Sequence, residues 1–419
     1  MELDLDYSSG ELVQSILNRI EDSTARKGKG KFTYIIGNNG SGKSRVLGAL
    51  SEKLESKQPR SIVACIASSI HDRFQYGDHG NVKYMGARNA RNAVFLTAIE
   101  RDLSRYILQA MLIDRALFKV LCESVNLEIT FSIGEKSVAY LQPSFNEELR
   151  DAIRLRSKAE ELGLLRARPL GMLNRIAQGN GRFDQLSSAQ MPALIVYLDA
   201  NIEIKLKIKN KRGLVTEFEG LSTGEQNRLL MFAKILSVME ERTVFLIDEP
   251  ELSLHLHWQM EFHKTILKIL SRLDRFHVVI ATHSPIMISE GVRTDGNPDN
   301  VVAVLDARVD GGVKASSKEN YNKGVSYEFY SFVKVASHEQ LVLRQFHTSP
   351  YQTREVSVEI ADTVLDYAEG ATERAEAIKL LRSLSSAMGL SEQAEKQIQA
   401  AIKFVQKGLT KSIKDKISI

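Results

Sequence analysis

The sequence predicts an α/β fold with a mixed central sheet, a mainly helical insertion and a helical C-terminal region. Three observations support this prediction. A short apolar strand at 32–36 leads directly into a glycine-rich loop that is followed by a helix. Mostly apolar strands at 244–247 and 277–281 flank a helix, as expected for a β–α–β unit in a parallel sheet covered on both faces. The segment 201–209 alternates apolar and charged residues, which predicts a strand with one face in water.

The composition is that of an ordinary globular protein. The chain has 419 residues, enough for two or three domains, and its net charge of +4 is too small to demand a nucleic-acid partner. Two cysteines provide no disulfide framework, which favours a reducing compartment. The acidic N-terminus does not resemble a signal peptide, and no run approaches the roughly 18 apolar residues of a membrane span. We therefore expect a cytoplasmic protein without a membrane partner.

The loop at 37–44 predicts a phosphate-binding site. It fits the pattern G-x-x-x-x-G-K-[ST] without a mismatch, and a strand and a helix flank it, as the motif requires. Glycines allow successive backbone N–H groups to point at an anion, and the helix N-terminus adds partial positive charge. Lys43 is expected to reach the β- and γ-phosphates of ATP, and Ser44 to bind Mg²⁺. The predicted nucleotide contacts are Gly37, Asn38, Asn39, Gly40, Ser41, Gly42, Lys43, Ser44 and Arg45.

Two acidic residues and a histidine are predicted to complete the chemistry. Asp248 ends an apolar strand at the edge of the sheet, where a Mg²⁺ ligand belongs. Glu249 follows it, and a second carboxylate beside the metal ligand suits a catalytic base that polarises water. His283 follows the neighbouring strand, so we expect it near the γ-phosphate as a second catalytic residue.

A second anion site is predicted at Ser222-Thr223-Gly224-Glu225, where a helix begins about 25 residues before Asp248. One chain cannot easily bring this helix and the helix after the 37–44 loop onto the same γ-phosphate. Two chains arranged head to tail can do so, with ATP between them. The sequence therefore predicts a homodimer in which Ser222, Gly224 and Glu225 contact the nucleotide held by the other chain.

The three motifs, in this order, resemble those of the ABC ATPase superfamily. The run Asp248-Glu249-Pro250-Glu251-Leu252-Ser253-Leu254-His255, followed by Trp258-Gln259, is unlike the usual transporter sequence. It is similar to bacterial SMC-like ATPases of the overcoming-lysogenisation-defect type, many of which belong to anti-phage defence systems. The closest resemblance is to the ATPase subunits of Septu systems, the PtuA family. Those of PARIS systems, the AriA family, come second.

This resemblance implies ATP and Mg²⁺ as cofactors and assigns roles to particular residues. Lys43 and Ser44 would bind phosphate and Mg²⁺, and Asp248 would be the Mg²⁺ ligand. Glu249 would be the catalytic base and His283 the switch histidine. Gln75, which follows the strand at 61–68, is the candidate for the superfamily's Q-loop glutamine, although its sequence context differs from the usual one.

The resemblance also implies a function. We expect an ATP-hydrolysing subunit of a defence complex that senses or gates a separate HNH-type nuclease, similar to PtuB. Expected partners are a second copy of the chain in a homodimer, a higher homo-oligomer, the nuclease and, through the complex, nucleic acid. Three alternatives are an overcoming-lysogenisation-defect ATPase with its own nuclease, a DNA-binding repair ATPase of the RecF type, and a transporter motor. The residues after 300 are too few and too poor in strands for the first alternative.

We expect four segments. Residues 1–91 and 196–330 would form the ATPase core, and 92–195 the mainly helical insertion. Residues 331–419 would form a helical region for assembly or partner docking. Its predicted helices carry apolar positions at helical spacing, which indicates a buried face. These positions are Ile360, Val364, Leu365, Leu380, Leu381 and Leu384.

Overall fold

The computed structural model describes residues 7–25, 28, 30–57, 61–88, 99–145, 149–252, 254–306, 326–332, 353–385 and 392–407. The chain forms two compact units, which are described separately. The first contains residues 13–32 and 44–281, and the second contains the described residues of 2–12, 33–43 and 282–419.

The helices and strands follow one another along the chain as α1 (Tyr7–Ala25), β1 (Lys31–Gly37), α2 (Lys43–Lys57), β2 (Val63–Ala67), β3 (Val82–Met85), α3 (Ile99–Ile113), α4 (Ala116–Val125), β4 (Leu127–Ile133), α5 (Glu135–Leu141), α6 (Arg150–Glu161), α7 (Ala167–Ala177), α8 (Gln190–Asp199), β5 (Ile204–Asn210), β6 (Val215–Glu217), α9 (Thr223–Ser237), β7 (Val244–Asp248), α10 (Leu256–Leu270), β8 (His277–Thr282), α11 (Pro285–Thr294), β9 (Val301–Asp306), β10 (Ser326–Ser331), α12 (Thr353–Glu369), α13 (Arg374–Ser385) and α14 (Glu392–Lys407).

The first unit contains parallel strands in the order β8-β7-β2-β3. Every residue of β2, β7 and β8 is buried, because helices and loops cover both faces of such a sheet. In the strand register, Ala67 pairs with Asp248, and Asp248 pairs with Ala281. The carboxyl ends of three strands therefore coincide at one edge, which is where open α/β sheets bind ligands.

The second unit contains strands in the order β10-β9-β1. The pairing of β1 with β9 is parallel, whereas β10 runs antiparallel to β9. The prediction of an α/β fold with mixed strands is therefore confirmed. The strand β10 follows the predicted final strand and was not anticipated from the sequence.

The insertion predicted at 92–195 is mainly helical where the structure describes it. It also carries β4, which pairs antiparallel with β5, and β5 pairs with β6. Side chains of β5 alternate between buried and exposed, which confirms the predicted strand with one wet face. Helices α3 and α4 pack against α9, so the insertion supports the helix that follows the second predicted anion site.

The C-terminal helices α12, α13 and α14 pack on one another around a small apolar core. The predicted buried face is confirmed at Ile360, Leu381 and Leu384. The prediction was wrong for Leu365, whose side chain is 52% exposed. Val364 packs on the core, and Leu365 follows it roughly 100° further round the helix, away from that contact. Among the helices that the structure describes, none combines the length and hydrophobicity of a membrane span.

Candidate nucleotide-binding site

The glycine-rich loop has the backbone that its motif predicts. Gly40 and Gly42 have φ values of +81° and +95°, in the left-handed region that favours glycine. A Cβ atom on Gly37 would lie 2.5 Å from the carbonyl oxygen of Leu305 and 2.6 Å from Oγ of Ser41. The Ser41 hydroxyl is buried and has no hydrogen-bond partner among the described residues. A phosphate oxygen would supply that partner, so the loop fits the anion that its sequence predicts.

Lys43 lies against the inside of this loop. Its Nζ donates to the carbonyl oxygens of Gly37 at 2.9 Å and Asn38 at 3.2 Å, and its side chain is buried. The same Nζ lies 3.3 Å from Nδ1 of His283. An ammonium group can only donate, so this Nδ1 must be the acceptor and the ring proton must be on Nε2. The structure thus brings two predicted site residues together in a contact that was not anticipated.

A second set of contacts, within the first unit, involves Ser44 and Asp248. Oγ of Ser44 donates to Oδ1 of Asp248 at 3.1 Å, and the carboxyl group is buried at the end of β7. Burial raises the pKa of Asp248 to about 7; the Ser44 hydrogen bond lowers the pKa, and Glu249 raises it further. A divalent cation would favour the ionised carboxylate, so this hydroxyl–carboxylate pair fits Mg²⁺.

Protein groups alone would not complete such a metal site. Within the ranges that the structure describes, no group of three or more His, Cys, Asp or Glu side chains is arranged to hold a metal. This agrees with the chemistry of Mg²⁺, which usually keeps several waters and takes only one or two carboxylates together with phosphate oxygens. Phosphate oxygens of a bound nucleotide and waters would complete the coordination of Mg²⁺ beside Ser44 and Asp248.

Glu249 has an unusual backbone conformation. Its φ is +48°, which is uncommon for any residue other than glycine and costs about 1–3 kcal/mol. Its N–H donates to the carbonyl oxygen of Ala281 at 2.9 Å, so the end of β8 holds this conformation in place. Strained residues concentrate at functional sites, which is consistent with the predicted role of Glu249. No pattern in the sequence indicates this strain.

The second predicted anion site begins α9 and has a regular helix cap. The Ser222 hydroxyl accepts from the N–H of Glu225 at 3.4 Å, and the Glu225 carboxylate accepts from the N–H of Ser222 at 3.0 Å. Ser222 is exposed, and Gly224 is half-buried. Both cap residues therefore have a structural role in the single chain. Their contact with a nucleotide on another chain stays a prediction.

Arg45 and Gln75 are exposed. Gln75 makes no hydrogen bond to any residue that the structure describes, but the loop before it is firmly held. The buried Asp72 carboxylate accepts from Nη2 of Arg88 at 2.6 Å and from the Tyr84 hydroxyl at 3.0 Å. Arg88 also donates to the carbonyl oxygen of Phe74 at 2.8 Å. Sequence reasoning missed this network, because an acid and an arginine 16 residues apart form no recognisable pattern.

A cation–π contact connects α9 and α10. The guanidinium carbon of Arg228 lies 3.2 Å from the centroid of the Trp258 ring, and the guanidinium also donates to the carbonyl oxygen of Ser124. Burial lowers the pKa of Arg228 to about 10. The helix after the second anion site is therefore attached both to the helix after β7 and to α4 of the insertion. This contact was also missed.

Comparison with known proteins identifies the family. A family profile described as "AAA domain, putative AbiEii toxin, Type IV TA system" matches residues 32–289. The chain belongs to this family. It therefore carries a P-loop ATPase domain, and a nucleotide is the cofactor that membership of this AAA-domain family implies. The prediction of a P-loop ATPase is confirmed by this match, whereas the resemblance to ABC and Septu ATPases stays a prediction.

Solved structures also resemble the chain. One is the Smc head domain from Pyrococcus furiosus, with an extended coiled coil, bound to the C-terminal domain of ScpA. It has 13% identity and a TM-score of 0.29, and the match covers 74% of this chain and 92% of that one. Another is an SmcHead bound to the C-winged helix domain of ScpA, with 14% identity, a TM-score of 0.29, and coverage of 73% and 91%. No curated protein sequence matches the chain.

Replacing Lys43 with alanine should weaken ATP binding by at least about tenfold, because the loss of a charge-assisted hydrogen bond costs about 1.5–3 kcal/mol. Isothermal titration calorimetry measures the affinity. Lys53→Ala, in the same helix but outside the loop, is the matched control and should bind as the wild type does. Equal affinity of the Lys43→Ala variant and the wild type would show that this loop is not the site.

Mg²⁺ binding should release a proton from Asp248. The raised pKa keeps the folded carboxyl group protonated between about pH 4 and 7, where an unfolded aspartate is ionised. The folded chain therefore binds more protons in this window, and this group's contribution to stability falls as pH rises through it. Mg²⁺ requires the ionised form, so its affinity should fall by about tenfold per pH unit below about 7.

Calorimetry measures this release. ADP is titrated into the protein at pH 6 with and without Mg²⁺, and the dependence of the heat on the ionisation enthalpy of the buffer gives the number of protons released. We expect about one Mg²⁺-dependent proton in the wild type and in the exposed control Asp274→Asn. The Asp248→Asn variant should lose this proton. Equal release from Asp248→Asn and the wild type would assign the proton to another group.

Proposed function

We propose that the chain binds and hydrolyses ATP as the ATPase subunit of an anti-phage defence complex. The ATPase part of this proposal rests on the hydrogen bond between Ser44, which follows Lys43 in the sequence, and Asp248 at the end of β7. In this proposal Lys43 exchanges its carbonyl acceptors for β- and γ-phosphate oxygens. Ser44 and Asp248 hold Mg²⁺, which supplies charge neutralisation for the phosphates when bound.

The hydrolytic step uses the strained residue after β7. The Glu249 carboxylate accepts a proton from a water molecule as the water oxygen attacks the γ-phosphorus, and the bond to the β-phosphate oxygen breaks. The products are ADP and phosphate. His283 is proposed to orient the γ-phosphate or the attacking water through its neutral ring, while Nδ1 remains beside Lys43.

The active form is proposed to be a dimer with two shared ATP molecules. Two features of α9 support this. Its capped N-terminus has an exposed serine, and a 15-residue helix provides a dipole that favours an anion at this end. We propose that Ser222, Gly224 and Glu225 contact the γ-phosphate on the other chain, with residues 331–419 available for higher assembly or partner docking.

Gating of a separate HNH-type nuclease is the proposed output. It is supported by the sequence after β7, which resembles that of Septu ATPases rather than that of transporter subunits. A second candidate output follows from the description of the family, which names a toxin of a type IV toxin–antitoxin system. In that case, expression of the chain alone would arrest growth. An intrinsic nuclease and DNA binding of the RecF type are competing outputs.

The variant Glu249→Gln should keep ATP bound while hydrolysis slows by about 10²–10⁴-fold, because an amide cannot accept the proton. Trapped ATP should then hold two chains together, as measured by multi-angle light scattering with and without ATP. The exposed control Glu240→Gln should hydrolyse at the wild-type rate. Adding Ser222→Asp, which preserves the helix cap but repels phosphate, should abolish the dimer. An unchanged mass with normal hydrolysis in Glu249→Gln would contradict both the base and the dimer.

Co-expression with a nuclease encoded beside the chain's gene tests the output. We expect the two proteins to copurify and nuclease activity to differ between wild-type and Glu249→Gln complexes, because only the variant keeps ATP. Glu240→Gln again serves as the control. Nuclease activity of the purified chain alone would instead favour an intrinsic nuclease. Growth arrest by the chain alone, without a nuclease, would favour the toxin.

A further inference from the structure

A large cavity lies within the first unit, bordered by the loop between β2 and β3 and by α3, α5 and α6. Its volume is about 980 Å³, at the upper end of the roughly 300–1,000 Å³ of small-molecule sites. None of the residues predicted to contact ATP or Mg²⁺ lines it. The cavity is therefore separate from the candidate site described above.

The cavity wall has an excess of cationic side chains that lack ion-pair partners. Arg101, Lys136, Arg154 and Lys158 line the cavity, and none of them forms an ion pair with a described carboxylate. The Nε–H of Arg101 is buried and finds no acceptor within the described part of the chain. An unsatisfied buried donor is costly, so a ligand with acceptor oxygens would gain from this position.

Four acidic residues also line the cavity, and two of them form ion pairs with the same arginine. Arg105 pairs with Asp199 at 2.7 Å and with Asp102 at 3.8 Å. Asp151 and Glu203 are the other two. Over the whole wall, six cationic side chains, which include Arg88 and Arg105, stand against four acidic ones.

Aromatic rings form another part of the wall, contributed by Tyr76, Tyr84, Tyr106 and Tyr140. The rings of Tyr76 and Tyr84 meet edge to face, with centroids 5.3 Å apart, and Tyr76 is 36% exposed. Burial raises the pKa of Tyr84 to about 12, so its hydroxyl stays neutral. Exposed aromatic faces stack on nucleobases, at about 1–3 kcal/mol per base.

We propose that this cavity binds a nucleotide, with the phosphate on Arg101 and Arg154 and the base against the tyrosine rings. The planar guanidinium group matches phosphate oxygens in two-point hydrogen bonds, which a lysine cannot reproduce. We favour a mononucleotide over a nucleic-acid strand, because Asp151 and Glu203 in the same wall repel the several phosphates of a strand more than the single phosphate of a mononucleotide. The proposal does not rest on the proposed function.

The test uses the full chain carrying Lys43→Ala, so that binding at the glycine-rich loop is weakened and the cavity variants described below assign what remains. Calorimetry with AMP, GMP, CMP and UMP should show one site per chain for at least one of them. Its nucleoside should bind at least about tenfold more weakly, because it lacks the phosphate that the arginines contact. Inorganic phosphate should also bind more weakly, because it lacks the base.

Cavity variants then locate the site. Arg101→Ala and Arg154→Ala should each weaken nucleotide binding by about tenfold or more. Arg168 is an exposed residue of α7, and Arg168→Ala should leave the affinity unchanged. Arg154 is exposed, so its variant should fold even where Arg101→Ala does not. The proposal would be overturned if none of the four nucleotides bound at millimolar concentration. Binding that both cavity variants leave unchanged, or binding of single-stranded oligonucleotides without any mononucleotide, would also overturn it.

Discussion

The hydrogen bond between Ser44 and Asp248 is the contact on which the proposed ATPase chemistry depends. It joins the first turn of α2 to the carboxyl end of β7, so the serine that ends the phosphate-loop motif stays beside the strand that ends at Asp248. Asp248 can occupy that buried position because β2 and β8 pair with β7 on both sides in register. The same register brings the end of β8 to the N–H of Glu249 and stabilises its left-handed backbone.

Buried charge explains how the insertion and α9 are connected to this edge of the sheet. Folding removes the Arg228 guanidinium of α9 from water. Its cation–π contact with the Trp258 ring and its hydrogen bond to the Ser124 carbonyl oxygen offset the lost hydration. Lys234, further along the same helix, donates to the carbonyl oxygen of Gly86, and burial lowers its pKa to about 8. A shift of α9 would leave these charges without partners, which is strongly destabilising. The exposed end at Ser222 is thus carried on a rigidly held helix.

Sequence predicted the parts of this molecule that are local and missed those that join distant segments. The glycine-rich loop, the end of β7 and the alternation of β5 are each encoded in consecutive residues with a fixed period or motif. The Asp72–Arg88 and Arg228–Trp258 contacts depend on how separate elements pack, so no spacing of residues in the sequence predicts them. The wrong expectation for Leu365 has a related cause, since an apolar residue at an approximate helical spacing can fall just outside the buried face.

Buried polar groups of this chain differ in whether they find hydrogen-bond partners among the described residues. The Asp72 carboxylate, although fully buried, receives hydrogen bonds from Arg88, Tyr84 and the Phe74 N–H. The Ser41 hydroxyl and the Arg101 Nε–H are buried but have no such partner among the described residues. Ser41 belongs to a loop whose motif predicts phosphate, so its missing partner has a ready explanation. In the cavity proposed to bind a nucleotide, a ligand with acceptor oxygens would satisfy the Arg101 Nε–H donor in the same way.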